Sequence, residues 1–318
     1  MKKIDFEAHQ PPRPYVRASM ALAGGAPALP GDDGGPSPFD LTTEKRIAVM
    51  DKFEVQSQII SCAGGLERFP RETAIDVARA ANDEYFEMGQ QYPGRILGYA
   101  NLIPQDVDAS LLELRRCHDE LGFVGWNTHT NFTEHYLDED RFFPLLAEAE
   151  QLGMFVYLLP GPPAIDRLQG LGVALDTGLG YHVDGAITLT RLICKGVFDR
   201  LPNLKLMLGH YGEAMPFMLD RIDSLSAKPG APRGAAVNEH SFDYYFKRNI
   251  YVTTSGNFSR AAFGCAKERL GIDHILFGTD FPLESYEKSI SFLDSVGMTK
   301  KEQEMLYYIN AREIFGIE

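Results

Sequence analysis

The feature that most constrains this chain is a rhythm: eight short apolar runs separated by segments of helix length. The runs are Lys3–His9, Val55–Ser61, Ile96–Leu102, Phe123–His129, Met154–Leu159, Leu204–Gly209, Ile250–Thr254 and His274–Thr279. Between them, helical periodicity covers Arg71–Tyr92, Asp108–Leu121, Asp140–Leu152, Gly185–Asp199, Glu213–Ser224 and Arg260–Leu270. Strands that alternate with helices pair in parallel, because each crossover carries the chain back to the same edge direction. Eight such units in 318 residues predict an α/β fold, a single-domain (β/α)8 TIM barrel. Two doubly wound halves fit less well, since no GxGxxG turn follows any of these strands.

Two stretches break the rhythm. Segment 11–38 is crowded with Pro and Gly and reads as a long loop directly after strand one. Segment Ser226–Ser241 reads as a lid or an interface. The net charge of −13 argues against a nucleic-acid partner, which needs a basic surface to neutralise phosphates. A small anionic substrate stays open, because a metal or an Arg can reverse the field inside a cleft. Lys2 and Lys3 are followed by no apolar signal region, and no run has the roughly 18 apolar residues of a membrane span. Cys62, Cys117, Cys194 and Cys265 are scattered without a CxxC pair, so reduced thiols and a cytoplasmic location are expected.

A barrel of this kind carries its chemistry at the C-terminal ends of its strands. Strand one ends in Glu7-Ala8-His9, where alternation aims Glu7 and His9 the same way. A carboxylate beside an imidazole is half of a divalent-metal site. Strand six ends at His210, followed by Glu213, and strand eight ends at Asp280. Taken singly, His210 could be a satisfied core histidine and Asp280 a helix cap. Three strand ends carrying Glu/His, His and Asp together point to one functional cluster.

The longest distinctive stretch is Gly196-Val197-Phe198-Asp199-Arg200, Pro202, Leu204-Lys205, Leu208-Gly209-His210, Gly212-Glu213, Pro216-Phe217 and Arg221. With Thr253-Thr254-Ser255-Gly256, Phe277-Gly278-Thr279-Asp280-Phe281-Pro282 and Asn310-Ala311, it resembles the amidohydrolase-related (amidohydrolase 2) family. The likeness runs over nearly the whole chain and is strongest to metal-dependent non-oxidative decarboxylases of aromatic acids. It implies one divalent metal, Zn or Mn, held by Glu7, His9 and Asp280. His210 then lies beside the metal with Glu213 supporting it, and Asp280, His210 and Glu213 form the catalytic set. The family usually adds a histidine at the end of strand five, in a Tyr-Leu-His-Pro setting. This chain reads Tyr157-Leu158-Leu159-Pro160, so Leu159 stands where that imidazole belongs.

Three consequences of Leu159 are open at this level. Water fills the gap; or His129, at the end of strand four, supplies the nitrogen; or the site holds metal poorly. His129 is also a candidate substrate contact, with Arg13 and Tyr15 behind His9, Trp126 as a stacking surface, and Arg221. The resemblance implies a small-molecule acid as substrate and a homodimer or homotetramer. In the lyase reading, Asp280 protonates the ring carbon that bears the carboxylate. In a hydrolase of the same fold it would deprotonate a water attacking a lactone or amide. The third reading, a non-catalytic relative, follows from Leu159.

Overall fold

The computed structural model describes residues 1–23, 39, 41–62, 65–132, 135–170, 172–228 and 236–316. The eight apolar runs are the eight strands of one parallel sheet: β1 Lys3–His9, β2 Val55–Ser61, β3 Ile96–Asn101, β4 Gly125–His129, β5 Phe155–Leu159, β6 Leu206–Leu208, β7 Ile250–Thr253 and β8 Ile275–Leu276. Their order in space is their order in the chain. The sheet closes between its two ends. Phe6 N–H donates to Phe277 O (2.9 Å), and Asp280 N–H donates to Glu7 O (2.8 Å). Ala8 and Phe281 form a parallel bridge at the same seam.

β5 shows why the sheet curls around a packed interior. Its residues 155, 157 and 159 point one way and 156 and 158 the other. Phe155, Tyr157 and Leu159 belong to an inner cluster with Phe6, Tyr99 and Met207. Val156 and Leu158 join an outer layer with Leu189 and Leu192 of a surrounding helix. Inside, the Phe155 ring packs on Phe6 and Tyr99 at centroid distances of 5.9 and 5.4 Å. The hydroxyl of Tyr99 donates to Phe6 O at 2.9 Å, so this interior aromatic keeps its polar tip satisfied.

β1 departs from simple alternation. Asp5 to Ala8 on β1 spans only Gln58 to Ile60 on β2, so β1 holds one extra residue there. Ile4 and Phe6 lie in the inner cluster, whereas Ala8 lies in the outer layer. The parity change turns Glu7 and His9 inward as well. β6 and β8 are shorter than the sequence suggests, and within a few residues of each the backbone turns left-handed. His210 and Tyr211 have φ of 51° and 63°, and Asp280 has φ of 68°. Such angles cannot continue a ladder and are costly for non-glycine residues.

The helices are α1 Arg13–Leu22, α2 Thr43–Lys52, α3 Arg71–Gln91, α4 Val107–Asp119, α5 Phe143–Gln151, α6 Tyr181–Cys194, α7 Met215–Ser226, α8 Arg260–Leu270 and α9 Tyr286–Ser295, with shorter turns between. α1 corrects the expectation of a loop over 11–38. Proline in its first turn presets the helical φ, and Tyr15 and Ser19, one turn apart, are buried. The rest of that segment, 24–38, lies outside the described residues, as do 229–235 within Ser226–Ser241. The expected helix Gly185–Asp199 begins a turn earlier and breaks at Gly196, whose φ is 66°. Among the described residues, no helix is long and apolar enough to cross a membrane.

The inner aromatic packing gives a direct stability test. Phe155→Ala is expected to destabilise the fold by about 3–5 kcal/mol, read as a lower urea midpoint. An unchanged midpoint would contradict the packed interior.

Candidate active site

Glu7, His9 and Asp280 meet at the mouth of the barrel, with one ligand atom from each lying within 4.8 Å of the others. Closure of β1 onto the segment after β8 makes them neighbours, although 271 or more positions separate His9 and Glu7 from Asp280 in the chain. Each is oriented from behind. The Glu7 Oε2 atom accepts the hydroxyls of Ser255 (2.6 Å) and Thr253. His9 Nδ1 is 2.9 Å from Ser61 Oγ, which leaves Nε2 facing Asp280 Oδ1 at 2.9 Å. The carbonyl of His9 is held at 2.9 Å by Arg46, a fully buried guanidinium from α2 that also grips Gln58 and Gln10. Burial opposes charge on His9, yet Asp280, Glu7 and Asp5 push its pKa up.

These residues fit a divalent cation. Among the described residues, Glu7 Oε1 is buried without a hydrogen-bond partner. A carboxyl oxygen buried without a partner is costly unless a cation meets it. A carboxylate, an imidazole and a second carboxylate, each fixed by partners behind it, form the donor set that such an ion takes. Leu159, the last residue of β5, packs in the hydrophobic interior, so this position contributes no donor.

Beside this trio stands a second set. His210 Nδ1 is 2.9 Å from Glu213 Oε1, and His182 Nδ1 makes a short contact with Glu213 Oε2. The two imidazoles meet edge to face with centroids 4.5 Å apart. Burial raises the pKa of Glu213, but His210 and His182 outweigh it and hold it down at about 2. For His210, burial works downward, and Glu213, Glu7 and Asp280 push the value up to about 10. Glu213 therefore keeps both Nδ1 atoms occupied and leaves both Nε2 atoms to face a ligand. Glycines make the room. A Cβ on Gly256 would come 3.2 Å from the His210 ring and 3.7 Å from Asp280 Oδ2, and one on Gly209 would come 3.1 Å from Glu7 Oε1.

The structure gathers Glu7, His9, Asp280, His210 and Glu213 as expected. The remaining candidates are not part of that cluster. His129 pairs with Glu67 at 3.0 Å in a separate small recess, where Glu67 outweighs burial and raises its pKa. It is not grouped with the metal-ligand trio. Trp126 is fully buried in the outer layer, because on β4 it points opposite to His129. Tyr15 is buried against Phe69 and Leu66. Arg13 is exposed and pairs with Glu84, and Arg221 is exposed on α7. His182 is the functional residue the sequence reading misses. It stands on the first turn of α6, which is pinned where buried Asp184 accepts from Asn131 Nδ2 (2.7 Å) and the Tyr136 hydroxyl (2.8 Å). One turn on, Gly185 lets the helix approach the Glu213 side chain. A His three positions before such a Gly, on one helical face, was the available signal.

The amidohydrolase family model matches residues 4–317. This chain belongs to that family. It is 33% identical over 287 residues to a gamma-resorcylate decarboxylase of Rhodococcus jostii, a match covering 86% of this chain and 87% of the relative. Among solved structures, the 5-carboxyvanillate decarboxylase of Sphingomonas paucimobilis superposes with a TM-score of 0.92 at 28% identity, over 100% of this chain and 99% of that one. A dihydroxybenzoic acid decarboxylase of Polaromonas, solved with bound manganese and the inhibitor 2-nitroresorcinol, gives 0.87 at 28% identity, over 99% and 97%.

The ligand assignment predicts metal contents by elemental analysis. The protein purified with manganese is expected to carry about one ion per chain, His9→Ala far less, and His129→Ala as much as the parent. Loss of metal in the His129 variant would return that residue to the ligand set.

Proposed function

We propose that this protein is a metal-dependent non-oxidative decarboxylase of a hydroxylated aromatic acid. The observation that carries the reading is that Asp280 Oδ2 and the His210 ring both border the space beside Gly256, with Asp280 grouped with the Glu7–His9 pair. A bound Mn²⁺ would supply Lewis-acid and template chemistry for the substrate's carboxylate and adjacent phenolic oxygen. The manganese found in the Polaromonas relative supports that ion over zinc.

The chain's own groups do the rest. Asp280 delivers a proton from a carboxyl oxygen to the ring carbon that carries the carboxylate. The bond from that carbon to the carboxylate then breaks, its electron pair restores the aromatic ring, and CO₂ leaves. His210, held by Glu213, presents Nε2 toward the substrate oxygens and steadies the charge that builds there. Glu213 keeps the imidazole in one orientation and is a positioning residue.

The reading extends to the assembly. Phe217 on α7 is 79% exposed, and Met218 and Leu225 on the same helix are exposed as well. Exposed apolar side chains on one helix support a homodimer or homotetramer. The four cysteines, none of them in a disulfide among the described residues, support a reducing, cytoplasmic setting.

Two outcomes test this. CO₂ release from gamma-resorcylate or a related hydroxybenzoate should fall about 10²–10⁴-fold in Asp280→Asn. Lactone or amide hydrolysis without CO₂ release would instead favour the hydrolase chemistry of the same site. By sedimentation, Phe217→Asp should move the protein from an oligomer toward the monomer; a parent already monomeric would remove the assembly proposal.

A further inference from the structure

The cavity into which His210 and Glu213 open is larger than one hydroxybenzoate ring needs. That cavity is about 870 Å³ and runs outward between α6 and α7. Pockets of roughly 300–1,000 Å³ enclose drug-sized ligands, whereas one hydroxylated ring with its carboxylate is far smaller. The polar groups of the site, His182, His210 and Glu213, collect at the inner end. Beyond them the walls are mostly apolar, with Val183, Ile187, Met215, Ile222 and Phe258, and also carry Thr190 and Asn257. Arg191 on the same wall is already engaged by Asp138 at 2.7 Å.

His182 stands where the two halves join. Its Nδ1 is committed to Glu213, and its side chain is one-quarter exposed. Its Nε2 therefore faces the cavity with the other imidazole nitrogen of the pair. The corridor reaches His210 and Glu213, so a ring seated against the His210 imidazole would turn its far edge toward it.

The geometry points to a second subsite, in which His182 Nε2 hydrogen-bonds a substrate oxygen and the apolar corridor takes an alkyl or aryl substituent of the same aromatic acid. The preferred substrate class is then a hydroxybenzoic acid carrying an apolar chain of several carbons. This rests on the decarboxylase reading for its ring chemistry, but not for its binding.

Calorimetry on the manganese-loaded full-length protein separates the two. The probes are resorcinol, 4-pentylresorcinol and 5-pentylresorcinol, which lack the carboxylate and do not turn over. Each buried methylene raises affinity about fourfold. At least one pentyl isomer is therefore expected to bind about fiftyfold or more tightly than resorcinol. Ile187→Trp and Val183→Trp, which fill the corridor, should each collapse that ratio. His182→Leu should weaken all three probes by about three- to tenfold, the loss of one hydrogen bond.

Pentyl isomers that both bind within about threefold of resorcinol would overturn the subsite. So would a preference that survives both tryptophan variants. Unchanged affinities in His182→Leu would overturn the contact assigned to that residue. Parallel CO₂ assays on gamma-resorcylate and its alkyl derivatives read the other proposal independently. A strong pentyl preference without any CO₂ release leaves the subsite standing and removes the decarboxylase reading. CO₂ release without the preference does the reverse.

Discussion

The hydrogen bonds that close the barrel between β1 and the segment after β8 carry the rest of the site with them. Asp280 N–H to Glu7 O and His9 N–H to Phe281 O fix the two ends of the chain in register. The Asp280 carboxylate thereby faces the imidazole of His9. Buried Arg46 reinforces the seam. It binds the carbonyl of His9 and lies over the Phe281 ring at 5.2 Å. In a guanidinium so enclosed, Nη1 and Nη2 meet the acceptors of Gln58, His9 and Gln10, while the buried Nε has no hydrogen-bond partner among the described residues. A slip of one residue at this seam would turn every inward side chain of β1 outward.

Polar residues at the strand ends are then arranged in two tiers. Ser61, Thr253 and Ser255 orient the ligands Glu7 and His9 from behind. Glu213 orients His210 and His182 from the side. The left-handed backbone at His210, Tyr211, Glu213, Ala214 and Asp280 concentrates strain in these loops. Strain of this kind persists where surrounding contacts over-determine the conformation, and it clusters at functional sites. The absence of a donor at Leu159 leaves the first tier with three protein groups.

Much of this was legible in the sequence, for definite reasons. β1 and β2 can be read to the residue because their apolar runs end at polar or turn-forming residues. Glu7, His9, His210 and Asp280 are legible because a barrel displays strand-end side chains. Trp126 was open to a better reading. It lies three positions from His129 on one strand, so the two point to opposite faces and cannot both line the mouth. Arg13, Tyr15 and Arg221 follow local helices, whose orientation depends on tertiary packing that periodicity does not encode. His182 escaped because its helix starts four residues before the apolar pattern suggests. The bulge in β1 leaves no mark in the sequence, since an extra strand residue is visible only against its partner strand.

The central claim is that three protein groups, Glu7, His9 and Asp280, hold one divalent ion without a strand-five histidine. Anomalous diffraction from crystals grown with manganese tests it most directly. The account predicts one strong anomalous peak per chain, within about 2.0–2.3 Å of Glu7 Oε1, His9 Nε2 and an Asp280 carboxyl oxygen. A peak between His182 and His210 instead, or none at the mouth of the barrel, would contradict it.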